Sequence, residues 1–214
     1  MRLLPACVAA TLLIAVAPLS AQAKIEAFGG QGERNNTVLI LADRNGGFNA
    51  HGMVTVTYGV PEWKAEYTDK AEEMTKGHTF RLGRDNWAIF DTTVAVKFGA
   101  VTVPAGLYYL AIARSKDGAT WNLVFVDPQK CKAAGAWPFT PEAAPHAFDV
   151  PLTHERTEGK ITPKLDVNLV SDKANPTHGT LTIAWGDRKL SGTYDVVLPA
   201  KSQPKDAAGG KAGK

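Results

Sequence analysis

The stretch 77–90, GHTFRLGRDNWAIF, gathers His78, Arg81, Arg84, Asp85, Asn86 and Trp87 between two β-like runs. Two guanidinium groups this close can grip an anionic or hydroxyl-rich ligand from two sides, and an indole supplies a flat wall. A packing arrangement competes with that one. It pairs Arg81 or Arg84 with Asp85, leaves Asn86 to satisfy the turn backbone, and buries Trp87. If 78–82 is a strand with Phe80 and Leu82 facing the core, His78 follows them inward and Arg81 lies outside or at the sheet end. Loop-borne Arg, Asp and Trp on a rigid scaffold are usual components of binding sites. The expected ligand site is therefore Arg81, Arg84, Asp85, Asn86 and Trp87, with Trp137 and Phe139 as a lid.

Other residue types raise other chemistries. His51-x-Met53, and Met74 with His78, combine imidazole and thioether, a pairing suited to copper. On a strand, Met53 is as easily a core side chain. The segment DRNGGFN offers Asp43, Asn45 and Asn49 as oxygen ligands, a pattern commoner in turns than in calcium sites. His154-Glu155 opens like a zinc motif, but Glu158 stands where a second histidine is required. Cys131 lies between Lys130 and Lys132, which would favour thiolate, and could meet His146 as nucleophile and base only if the intervening loop folds them together. The sequence holds no Gly-x-Ser-x-Gly elbow, no Cys-x-x-Cys pair and no phosphate-cradling glycine loop. No cofactor and no metal is expected.

The ends of the chain carry different information. Arg2, the apolar run Leu12–Leu19 and Ala21-Gln22-Ala23 read as a signal peptide over residues 1–23, implying export to the periplasm or exterior. No later segment approaches the roughly 20 apolar residues of a membrane helix. Residues 201–214, KSQPKDAAGGKAGK, read as a disordered tail. Four lysines against one aspartate there leave 24–200 with 19 basic and 20 acidic groups, so no basic nucleic-acid-binding face is expected. Loss of the signal would remove Cys7 and leave Cys131 without an internal disulfide partner.

Elements that could position these residues follow from alternation. Val94, Val96 and Phe98 share one face; Tyr108, Leu110 and Ile112, then Leu165, Val167 and Leu169, then Leu181, Ile183 and Trp185 repeat the pattern of half-buried strands. Phe98–Val101, Pro104–Gly106, Asp117-Gly118 and Gly186-Asp187 supply turns. About ten short strands predict an all-β domain over 24–200, an antiparallel, jelly-roll-like β-sandwich. At most one short helix is expected, in TDKAEEMTKG, where Asp69 and Glu72 stand at cap spacing and Gly77 is a stop. The connection from Asp127 to Pro151 has no sustained period and is expected to fold over one end of the sandwich.

VTVTYGVPEWK, then GHTFRLGRDNWAIFDTTVAVKFGAVTVPAGLYYLAI, GAWPF and GTLTIAWGDRKLS resemble, in order, the bacterial secreted family catalogued as domain of unknown function 2911. The likeness covers roughly 50–198. It is densest from Arg81 to Leu110, where Arg81, Gly83 and Pro104-Ala105-Gly106 match. Phe80 and Asp85-Asn86 depart from the family's Trp and Asn-Glu. The resemblance implies an exported β-sandwich and brings no activity with it. The reading is an exported, non-catalytic protein that binds a small molecule or envelope partner. The alternatives are a metal-dependent or hydrolytic periplasmic enzyme using His51, His78 or His146, and a structural envelope protein.

Overall fold

Alternation of apolar and polar side chains becomes strand along most of the chain, because period two places one face of each segment against a common core. The computed structural model describes residues 27, 29–30, 32–44 and 47–199. The expected signal peptide, 1–23, and tail, 201–214, lie outside the described residues.

A first hairpin joins β1 (Arg34–Asp43) and β2 (Asn49–Gly59). Helix α1 (Glu66–Thr75) follows, then β3 (Thr79–Arg81), β4 (Ala88–Thr92), β5 (Ala95–Phe98) and β6 (Val101–Val103). After β7 (Gly106–Arg114) and β8 (Trp121–Val126) come helix α2 (Pro128–Ala133) and a 3-10 turn, Pro141–Ala143. The chain then forms β9 (His146–Arg156), β10 (Thr162–Ser171), β11 (His178–Gly186) and β12 (Arg188–Val197).

These strands make a mostly antiparallel, nearly barrel-shaped sheet. Its main path runs β1-β2-β4-β7-β8-β9-β12-β11-β10, with β3 on β7 and the β5–β6 hairpin on β12. Strand β9 changes partner along its length: His146–Leu152 lie on β8, and Thr153–Arg156 on β12. The two ends of the path meet at a seam. Thr37 donates its hydroxyl to the Val167 carbonyl, and the Val167 N–H donates to the Tyr58 hydroxyl at 3.0 Å. Next along, Leu165 N–H donates to Pro61 O at 3.1 Å and Trp63 N–H to Pro163 O at 2.7 Å. The enclosed core holds Tyr58, Phe90, Phe98, Leu110, Phe125 and Tyr194, with Phe90 and Phe125 edge to face at 5.1 Å.

Two expectations need correction. There are two short α-helices among the described residues, where at most one was expected. Asp127 caps α2, accepting from Gln129 and Lys130 N–H, and Pro128 takes the first turn, where its missing N–H costs nothing. The Asp127–Pro151 connection also covers a sheet face. Cys131, Ala136 and Ala144 pack with Trp87, Ala111, Val124 and Val126, burying the second side of β7 and β8. That is why β8 departs from strict alternation.

The buried Tyr58 hydroxyl is the acceptor for Val167 N–H inside the seam. Tyr58→Phe leaves that donor unpaired and is expected to cost about 1–3 kcal/mol in urea unfolding. An unchanged unfolding midpoint would show that the seam does not depend on this bond.

Candidate functional site

The loop from Leu82 to Trp87 divides its residues between separate surroundings. Gly83 sits at φ 89 against the Gly59 carbonyl, a place where a Cβ would collide, so the turn can lie flat on β2. Asp85 follows at φ 65, a left-handed conformation that aspartate tolerates better than most residues. Arg84 Nε and Asp85 Oδ2 form an exposed pair at 3.0 Å. The Asn86 side-chain oxygen accepts from Trp87 N–H at 2.8 Å, and Trp87, 4% exposed, stacks on Tyr109 with rings 5.5 Å apart. Of the expected site, the structure brings together Arg81 and Phe139: the guanidinium lies 4.7 Å from the ring centre, and Arg81 Nη1 donates to Pro138 O at 3.0 Å. Phe139 is 72% exposed and Trp137 69% exposed.

Arg81 and Phe139 border a cavity of about 430 Å³ at the end of the sheet where the seam opens. Its base is apolar core: Ile112, Leu165, Ile183 and Leu190. One wall is aromatic. Trp63 meets Trp185 edge to face at 4.9 Å and Tyr67 at 5.6 Å. The Trp185 indole is fixed by donating to Pro61 O at 3.1 Å. Gly186, at φ 64, lies under Trp63, where any Cβ would run into the ring. Helix α1 contributes Tyr67, Ala71 and Met74, and the Pro138–Glu142 segment closes the opposite side, with exposed Glu142 on its rim.

Charge surrounds this apolar space. Glu72 of α1 reaches Arg114 at 2.9 Å and Arg188 at 3.5 Å, and the hydrogen bond from Arg114 chiefly holds its carboxyl below the usual value. Arg114 also donates to Gly118 O and Thr75 Oγ1 and lies 4.8 Å over Trp121, so its donors are occupied. His154 stacks on Trp121 at 5.2 Å. Burial, then the Arg188 and Arg114 charges, hold the imidazole below its ordinary value and favour its neutral form. Arg81 Nε, His154 Nε2 and Arg188 Nε are buried, and among the described residues none has a hydrogen-bond partner. All three side chains line the cavity. Arg188 Nε does lie 3.5 Å from Asp187 Oδ1, ion-pair reach without hydrogen-bond geometry.

The remaining chemistry-bearing residues lie elsewhere. His51 contacts Asp43 at 2.6 Å, and Asn49 donates to the other oxygen of Asp43 at 3.0 Å; Asn45 lies outside the described residues. Met53 pairs with Ile40 across the first hairpin. His78 is exposed, since β3 starts only at Thr79 and alternation does not extend back to it. Among the described residues no group of three or more His, Cys, Asp or Glu could hold a metal. Cys131 is 2% exposed and donates to Ala136 O, and burial pushes its thiol up, opposite to the effect expected from the flanking lysines. His146 pairs with Asp149 at 2.8 Å.

Trp63, Tyr67, Trp121, His154, Trp185 and Arg188 went unassigned as site residues in the sequence. Only the chain segments EWK and AWGDRK hint at Trp63, Trp185 and Arg188. Comparison with family models, curated proteins and solved structures returned no match.

A histidine kept neutral by the fold stabilises least where the unfolded chain would bind a proton. Stability should fall as pH drops below the ordinary value of 6.5 toward the lowered folded value. Between about pH 7 and pH 5 the thermal midpoint of the wild type is expected to fall further than that of His154→Asn. Parallel curves would mean that His154 takes up its proton without cost.

Proposed function

We propose that the protein is an exported, non-catalytic β-sandwich of jelly-roll-like build whose cavity binds a small ligand, from solution or from an envelope component. The observation that carries this reading is a cavity of about 430 Å³ lined by three side chains, Arg81, His154 and Arg188, each with a buried nitrogen that has no hydrogen-bond partner among the described residues. Buried polar atoms are normally satisfied, and apolar pockets with a few converging polar groups are the usual form of small-molecule sites. The two-sheet reading is supported by the partner change along β9 at Leu152–Thr153. Export rests on the signal-like residues 1–23, and kinship with domain of unknown function 2911 on the block from Arg81 to Leu110.

Within the expected site, this assignment gives the ligand contact to Arg81 and Phe139. Arg84, Asp85, Asn86 and Trp87 would support the turn instead. An enzyme using His51, His78 or His146 has less support, because none of the three borders the cavity. Among the described residues no helix is long and apolar enough to cross a membrane.

Protein purified gently from its own cells is expected to carry an added small-molecule mass in a native mass spectrum. Ala71→Phe places a ring in the cavity, at a stability cost of about 1–3 kcal/mol, and should remove that mass. A bare wild-type chain that also gains no thermal stability from a broad small-molecule library would overturn the reading.

A further inference from the structure

Resting on that reading, we infer that the cavity selects an aromatic monocarboxylate: a flat ring held among tryptophans, with its carboxylate on Arg81 and Arg188. The two guanidinium Nε–H groups are donors only, and both are buried without a hydrogen-bond partner among the described residues. A ligand satisfying both must present an acceptor, and a charge-assisted bond to an anion is the strongest available.

Charge bookkeeping separates the two arginines. Arg188 shares Glu72 with Arg114 and lies beside Asp187, so its charge is largely compensated. Arg81 has no carboxylate partner among the described residues; its contacts are the Pro138 carbonyl and the Phe139 ring. It is therefore the cation that a single negative charge complements. Neutral His154 adds one nitrogen that can accept or donate without contributing a second positive charge.

The lining sets the rest of the molecule. Trp63, Trp121 and Trp185 all line the cavity, and Trp63 meets Trp185 edge to face at 4.9 Å. Aromatic surfaces reward a flat ring with offset or edge-to-face contact beyond what area alone provides. A flexible alkyl chain would lose rotamer freedom there without that gain.

Calorimetric titration of the full chain with naphthoate, naphthalene, naphthylmethylamine and dodecanoate tests this. Naphthoate is expected to bind best, and Arg81→Met should weaken it by on the order of tenfold or more, well beyond any change in naphthalene binding. Arg81→Lys keeps the charge but moves the donor. It should weaken naphthoate severalfold, and supplies the measurement if Arg81→Met fails to fold. Equal affinity for naphthalene, or no effect of either variant, would overturn the carboxylate assignment while leaving a ligand cavity. Preference for dodecanoate would overturn the aromatic half. Binding of none of the four probes would overturn this inference, whereas the cavity reading beneath it falls only with a bare native mass and no stabilisation by the wider library.

Discussion

The carbonyl oxygen of Pro61 accepts two hydrogen bonds at 3.1 Å, one from Leu165 N–H and one from the Trp185 indole. The first ties the segment after β2 to β10, the opposite end of the strand path. The second fixes the ring that forms the cavity's aromatic wall. One acceptor thus couples closure of the sheet to shaping of the site. Tyr58, donating no backbone group of its own to this contact, extends the same seam inward by receiving Val167 N–H. A sheet left open there would expose an unpaired edge and lose the apolar base on which Trp63 and Trp185 stand.

The cavity's polar side depends on a second set of restraints. Glu72, on α1, meets arginines from β7 and β12, so the helix is tied over the mouth from two strands. Arg114 is almost fully engaged, and its side chain is 8% exposed. Arg188 and Arg81 are held less completely, each keeping a buried Nε–H without a hydrogen-bond partner among the described residues. Such donors carry a desolvation cost that folding does not recover. On the proposed reading, a ligand acceptor would recover it on binding.

Much of the strand framework is legible in the sequence, because alternation in Val94–Phe98, Leu165–Leu169 and Leu181–Trp185 reports directly on which face is buried. The two-residue hairpins at Gly99-Ala100 and Gly186-Asp187 are legible for the same local reason. Helix α2 is not, although Asp127-Pro128 is a good start signal, because six residues carry too little periodicity to stand out. Arg81 with Phe139 can be anticipated only as a loop and its lid. His154, Trp63 and Arg188 cannot be joined from spacing, since their meeting depends on β9 pairing with β12 and on the seam between distant segments. Arg84, Asp85 and Trp87 look like partners of Arg81 in sequence, yet the left-handed turn at Gly83 and Asp85 sends them to other surroundings. Adjacency in the chain is a poor guide to convergence wherever the backbone reverses.

The most direct measurement is a crystal structure of the protein grown with bromo-naphthoate, whose anomalous bromine signal locates the ring. Binding in the cavity predicts bromine between α1 and the Pro138–Glu142 segment, with the carboxylate in hydrogen-bond reach of Arg81 Nε. Bromine found only on the outer surface, for example beside Arg84 and Asp85, would contradict it.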